Sequence, residues 1–111
     1  MERFDSELQK GTTELLVLSI LDREELHGYA LIKRLRALSG ERFRMNEGAL
    51  YPLLHRLVRE KKLQVSTRSQ GGRERKTYRL TAAGRRALAA AATAWRDYAG
   101  FVDAVVRGEE T

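Results

Sequence analysis

The chain has 111 residues and a mass of 12.7 kDa, which fits a single small domain and excludes a large enzyme with a separate cofactor domain. Hydrophobic residues make up 42% of the chain, charged residues make up 32%, and cysteine is missing, so we expect a soluble globular protein without disulfides or thiolate zinc sites. Because no apolar run approaches the ~20 residues of a membrane span and no secretory signal is recognisable, we expect a cytoplasmic protein with no membrane partner.

The net charge of +6 is concentrated in one segment. Residues 55–86 carry eleven Lys and Arg side chains and two Glu side chains, a balance of +9, so the rest of the chain carries −3. A basic segment in an otherwise mildly acidic protein produces a local surface field, which attracts a polyanionic partner.

Two helices are predicted in the first forty residues. The first is a central helix over GTTELLVLSIL, whose apolar residues cover nearly the whole circumference; it is predicted to begin after Gly11, with Thr12 and Thr13 as candidate caps. The second is an amphipathic helix over HGYALIKRL, which Ser39 and Gly40 are predicted to end.

A third helix follows, with Asn46 as its predicted N-cap and Glu47 at the positive end of its dipole. Leucines repeat at three and four residues along one face of this helix. Pro52 lies about one turn inside the predicted start, so we expect either a slight kink or a start later than Asn46.

From Leu63 onward, apolar residues recur every 2 residues instead of every 3.6, which is typical of strands. Gly71-Gly72 separates two such short strands, so we predict a hairpin with a basic tip. Thr81 can cap a final helix of about 25 residues. Gly100 either lets a second backbone approach this helix or marks fraying. Residues with coiled-coil spacing predict a homodimer interface along it: Leu88, Ala91, Trp95, Tyr98, Val102 and Val105.

These elements describe a mainly α protein with a small two-stranded β-wing, in the α+β class. Three helices, a basic hairpin and a long last helix form a winged helix-turn-helix, in which the third helix enters the major groove of DNA. We expect residues 1–80 to be the DNA-binding domain and residues 81–111 to be a C-terminal dimerisation helix.

Four sequence blocks, in this order, resemble the PadR family of bacterial transcriptional regulators. GALYPLLHRL is similar to the family's Gly-x-Leu-Tyr-Pro-x-Leu recognition helix and GGRERKTYRLTAAG to its wing, while GTTELLVLSIL and HGYALIKRL resemble its first two helices. A single C-terminal helix is typical of the short subfamily. The resemblance implies a homodimeric repressor that binds a pseudo-palindromic operator in double-stranded DNA and, in many relatives, releases it when a small molecule binds.

Candidate DNA contacts lie on two elements. On the third helix, side chains near the N-terminus can reach bases or phosphates, with helix capping, packing and solvent exposure as the alternatives; these residues are Asn46, Glu47, Gly48, Tyr51 and His55. On the wing, Arg73, Arg75 and Lys76 are candidate contacts to phosphates or the minor groove, against the alternative of a solvated loop.

Trp95, the only tryptophan, allows two interpretations. It is either a hydrophobic anchor of the dimer or the wall of a cavity between subunits that stacks on a flat aromatic effector. In the second case the further candidate walls are Leu15, Leu18, Tyr98 and Val102.

No cofactor, metal site or catalytic group is predicted. His27 and His55 are not spaced as a pair of helical ligands, and Glu24 and Glu25 are interpreted as solvated charges. Two rival interpretations are a winged-helix module that binds RNA and one that binds only protein, both without operator specificity. Few aromatic residues are left for RNA stacking, and a protein adaptor has no need of the +9 segment.

Overall fold

A computed structural model describes residues 2–109, and in this range the chain forms four helices and three strands. The helices are α1 Ser6–Arg23, α2 Gly28–Leu38, α3 Glu47–Arg59 and α4 Ala82–Val106. The strands are β1 Leu26–His27, β2 Leu63–Gln70 and β3 Arg73–Leu80, and they form one antiparallel sheet in the order β1-β3-β2. This architecture confirms the predicted α+β winged helix-turn-helix.

The sheet has three strands rather than the two that were predicted. The added strand, β1, consists of Leu26 and His27, which pair with Tyr78 and Thr77 of β3. A strand of two residues has no alternating pattern, so its existence depends on a partner about fifty residues away and not on a local signal. Its consequence is that the N-terminus of α2 is joined directly to the wing.

The predicted start of α1 was wrong, because the helix begins five residues before Gly11. Asp5 is the N-cap, and its carboxylate accepts hydrogen bonds from two backbone N–H groups of the first turn at 2.9 and 3.3 Å. Thr12 and Thr13 are therefore not caps: their hydroxyl groups donate to backbone carbonyls one turn earlier inside the helix.

Asn46 caps α3 as predicted, with its side-chain oxygen accepting from the backbone N–H of Ala49 at 2.9 Å. The helix continues through Pro52 to Arg59, so of the two alternatives expected for Pro52 the later start is excluded. Pro52 is tolerated because it is only the sixth residue of the helix, where its missing N–H affects a single early carbonyl.

The wing turn follows the glycine prediction. Gly71 and Gly72 have φ values of +58° and +80°, which bulkier residues adopt only at a cost, and they connect β2 to β3 in a two-residue hairpin loop. Tyr78 and Leu80, at the base of β3, are buried, whereas residues 73–76 at the tip are exposed.

The core lies where α1, α2, α3 and the base of the wing meet. Its buried side chains are Val17, Leu18, Ile20, Leu21, Leu31, Ile32, Leu35, Phe43, Leu50, Leu54, Leu57, Leu63, Tyr78 and Leu80. Leu18 is fully buried in this cluster, so it has no surface left for the ligand contact that was predicted.

The long helix α4 is anchored to this core at its first turn. The hydroxyl of Thr81 accepts from the backbone N–H of Gly84 at 3.0 Å, and Gly84 packs so closely on the carbonyl oxygen of Lys62 that a Cβ there would collide with it. The helix is continuous through Gly100 to Val106. Among residues 2–109, no helix combines the length and the apolar character needed to cross a membrane.

Candidate nucleic-acid interface

The start of α3 presents small and polar residues to solvent. Asn46, Glu47 and Gly48 are all exposed, and the backbone N–H groups of this first turn point toward the same side as the positive end of the helix dipole. The side-chain oxygen of Asn46 is occupied by the cap, which leaves its amide N–H groups available to a base edge or a phosphate.

Tyr51 has a structural role in addition to any contact with DNA. Its ring lies against Gly28, where a Cβ would be 2.6 Å from the Tyr51 hydroxyl oxygen, so this glycine is needed for α2 and α3 to approach. Tyr51 is half-buried, and its ring centroid is 6.2 Å from that of His55, which is exposed one turn further along α3. The phenol therefore faces the space between the recognition helix and the wing.

The wing carries the three predicted basic residues on an exposed strand. Arg73, Arg75 and Lys76 lie in β3, beyond the point where the sheet leaves the core. Together with Tyr29 and Tyr51 they line a groove of about 410 Å³ between α2, α3 and the wing. The structure thus brings the predicted wing residues and Tyr51 to one groove.

His27 also lines this groove, although no pattern in the sequence predicted a role for it. It is the N-cap of α2, with Nδ1 accepting from the backbone N–H of Ala30 at 3.2 Å, and its Nε2 is 2.9 Å from Nη1 of Arg75. Partial burial and the positive charges of Arg75 and Lys33 lower the pKa of His27, because all three disfavour the imidazolium form. A histidine immediately before a helix-initiating glycine was the only local signal for this cap.

Two glutamates that were interpreted as solvated charges are in fact paired. Glu25 accepts from the hydroxyl of Thr77 at 2.8 Å and forms an ion pair with Arg68 at 2.9 Å, which fastens both wing strands to the segment before α2. Glu24 pairs with Arg34 at 3.0 Å. The base of the wing is therefore restrained by side chains as well as by β1.

Part of the basic segment is neutralised within the protein. Arg56 contacts Glu14 of α1 at 2.5 Å and Glu60 at 3.2 Å, and Lys62 contacts Glu60 at 3.1 Å. The hydrogen bonds to Glu14 and Glu60 raise the pKa of Arg56, while those from Lys62 and Arg56 lower the pKa of Glu60. Arg56 and Lys62 are therefore already paired within the protein, whereas Arg73, Arg75 and Lys76 at the wing tip are exposed.

The other predicted surface lies on α4. Leu88 packs against the protein's own core, and Ala91 is half-buried. Beyond them the same helix face becomes exposed and carries large apolar side chains: Trp95, Tyr98, Val102 and Val105. Leu15 is half-buried on α1. Within residues 2–109, no three His, Asp or Glu side chains are grouped closely enough to hold a metal ion.

A family model described as the transcriptional regulator PadR-like family matches residues 17–90 of this chain. The matched region extends from α1 into α4 and includes all of α3 and the wing. The chain belongs to the PadR-like family of transcriptional regulators.

Individual relatives are similar to this chain in sequence and in fold. Transcriptional regulator Rv3488 of Mycobacterium tuberculosis is 39% identical over 82 residues, which are 74% of each chain. The crystal structure of a PadR family regulator from Eggerthella lenta shares 35% identity with a TM-score of 0.82, covering 90% of this chain and 86% of that one. A PadR-like regulator from Bacillus cereus shares 30% identity with a TM-score of 0.82, covering 94% and 100%.

Membership in the PadR family confirms the resemblance found in the motifs of α3 and the wing. The family and these relatives are described as transcriptional regulators.

Proposed function

We propose that this PadR regulator is a homodimeric repressor that binds a pseudo-palindromic operator and releases it when a small aromatic molecule binds. Residues 1–80 form the DNA-binding part, and residues 81–111, which include α4, form the dimerisation part. The observation that carries the proposal is the groove in which Arg73, Arg75 and Lys76 of the wing lie beside Tyr51 of α3. A recognition helix and a basic strand on one side of a domain suit the major groove and its flanking phosphates.

Each DNA-contacting element has a distinct part in this proposal. The exposed start of α3, with Asn46, Glu47 and Gly48, contacts base edges, and His55 lies further along toward the backbone. The wing cations neutralise phosphates and so supply affinity that depends on salt.

Dimerisation is supported by the apolar surface of α4. Tyr98 is 64% exposed and Val105 is 60% exposed in the single chain, an arrangement that is costly in water and that a second copy relieves. Gly100 has open space around it, but it lies on the helix face opposite this apolar surface, so it adds nothing to the proposed interface. Because Leu88 already packs on its own core, the proposed interface is centred on Trp95, Tyr98, Val102 and Val105.

The proposed effector site is the dimer surface around Trp95. Trp95 is 47% exposed, and the Tyr98 and Phe101 rings are 6.3 Å apart, so a pair of α4 helices offers several aromatic faces to a flat ligand. Leu15 and Val102 complete the proposed wall, and Leu18 is omitted because it is fully buried. If Trp95 is only an anchor of the dimer, aromatic ligands will leave its fluorescence unchanged.

Release follows from the short connection between the wing and α4. Only Thr81 separates the last residue of β3 from the first residue of α4, so a change in the angle between two α4 helices moves both wings. Operator half-sites fix the separation of two recognition helices at about 34 Å or a multiple of it. An effector that favours another separation therefore shifts the population away from the DNA-binding state.

The test is a titration of the protein against duplex DNA from upstream of its own gene and against a scrambled duplex, at several salt concentrations. We expect preference for the native duplex, with the logarithm of affinity falling linearly with the logarithm of salt concentration. A lack of binding to either duplex at low salt would contradict the proposal and favour a protein-binding module. Specific binding to structured RNA would favour the RNA-binding alternative.

A further inference from the structure

The neutral side chain of His27 cannot accept hydrogen bonds from both of its neighbours, the backbone N–H of Ala30 and the guanidinium of Arg75. A neutral imidazole carries one N–H and can accept a hydrogen bond at only one ring nitrogen. In the tautomer in which Nδ1 accepts from the N–H of Ala30 and caps α2, Nε2 carries the proton and faces Nη1 of Arg75 at 2.9 Å. Since guanidinium has donors only, two hydrogen-bond donors then point at each other.

We propose that His27 and Arg75 together bind one backbone phosphate of duplex DNA. This inference rests on the proposed DNA-binding function and adds a contact from the start of α2 to those from α3 and the wing tip. A phosphate oxygen placed between the two groups accepts from Nε2–H and from the guanidinium, while Nδ1 continues to cap the helix. Neither side chain has to give up its structural role, apart from a small outward shift of Arg75.

The basic surroundings of this pair favour an anion. Lys33 of α2 lines one groove with His27 and Arg75, and Arg73 and Lys76 of the wing line the neighbouring groove with the same two residues. The first turn of α2 has no acidic residue and directs the positive end of its dipole toward the same place. Four side-chain cations and a helix terminus thus surround one imidazole N–H.

The nearby acidic side chains mostly have other partners. Glu24 is paired with Arg34 at 3.0 Å, and Glu25 is paired with Arg68 at 2.9 Å. Glu74, on the alternate face of β3 from Arg75, is the acid that remains in the groove with the wing cations. A phosphate therefore meets a net positive field on its way to His27.

The test compares variants that separate capping from phosphate binding. Asparagine is a good N-cap but too short to reach the phosphate, so His27→Asn keeps α2 capped and removes the donor. We expect its affinity for the native duplex to fall about two- to tenfold, the range for one hydrogen bond, with no change in salt dependence. Arg75→Gln, in contrast, lowers the salt slope by about 0.9, because it removes a charge that displaces a counterion.

A double variant shows whether the two residues bind the same phosphate. The reduction in affinity caused by His27→Asn should shrink in the Arg75→Gln background, because the phosphate is then no longer held in place. His27→Ser, a second capping residue, guards against a folding defect peculiar to asparagine, and Arg107→Gln removes one charge at the far end of α4 as a control. Wild-type affinity of both His27 variants, or a reduction that stays undiminished in the double variant, would overturn this inference alone. Failure of the wild type to bind any duplex would overturn the proposed function instead.

Discussion

At the scale of single residues, the contact between Gly28 and Tyr51 sets how closely α2 and α3 approach. The phenol ring occupies the volume where a Cβ of residue 28 would be, with the hydroxyl oxygen at 2.6 Å and the adjoining ring carbon at 2.7 Å. Moving the ring away would also displace Tyr51 from the groove that is proposed to bind DNA. One methyl group is therefore enough to disturb both the packing and the interface.

Replacing Gly28 by alanine is expected to change the free energy of unfolding in the opposite direction from the same replacement at Gly11, a helical glycine with open space around it. We expect Gly28→Ala to lower the free energy of unfolding by about 1–3 kcal/mol through overpacking. Gly11→Ala, within α1 and with nothing near its Cα, should instead raise it by up to about 1 kcal/mol. Urea denaturation at one fixed protein concentration measures both, and equal effects at the two sites would contradict the packing argument.

His27 makes stability depend on pH in a predictable direction. Because its pKa is lowered in the folded protein, the unfolded chain binds the proton more readily, and the free energy of unfolding falls as pH drops below about 6.5. We expect His27→Asn, which caps without titrating, to lose less stability than the wild type between pH 7 and pH 5.5. If the free energies of unfolding of the two proteins fall by the same amount between pH 7 and pH 5.5, His27 is not the cause of the pH dependence.

At the scale of elements, local signals predicted most of the recognition helix and the wing. The cap at Asn46 and the glycine pair at 71–72 are short-range features, and the structure has both. The start of α1 at Asp5 was missed because the first turns of the helix carry little apolar periodicity. β1 and the ion pair between Glu14 and Arg56 were missed for another reason: each joins residues about forty or more positions apart.

A charge introduced on α4 is expected to affect the proposed dimer differently on the two faces of the helix. Val102 lies on the apolar face that continues from Ala91, whereas Thr93 lies about 190° around the helix from the middle of that face. We expect Val102→Arg to shift the protein from dimer to monomer in analytical ultracentrifugation, since it places a charge in the proposed interface. Thr93→Arg adds the same charge on the other face and should leave the dimer intact; dissociation by both variants, or by neither, would argue against this interface.

At the scale of the whole molecule, the basic residues of the +9 segment include two groups in different surroundings. Arg56 and Lys62 hold α3 and the start of β2 to α1 through Glu14 and Glu60. The wing residues 73, 75 and 76 lie in exposed strand beyond this network. The charge of +9 counted from the sequence predicts a negatively charged partner. It does not predict which basic residues are paired within the protein, because ion pairing depends on tertiary contacts.

Salt dependence of DNA binding distinguishes the two groups. Changing Arg73, Arg75 and Lys76 together to Gln should reduce the slope of log affinity against log salt by up to about 2.7, or 0.9 for each phosphate that is no longer neutralised. Arg56→Gln removes a charge that is already neutralised and should leave the slope unchanged. An equal change of slope for Arg56→Gln would mean that the ion-pair network opens on DNA.

The close contact between Gly84 and the Lys62 carbonyl fixes the first turn of α4 against the core. Because the contact involves the Lys62 backbone and the Leu80 side chain at the first turn only, the rest of the helix can tilt about this end. Val106 lies 22 residues beyond Gly84, or about 33 Å, so a tilt of about 5° displaces the far end by about 3 Å. Under the proposed effector mechanism, a tilt of α4 caused by a ligand near Trp95 produces its greatest displacement at the far end of the helix, while Thr81 connects the near end to the wing.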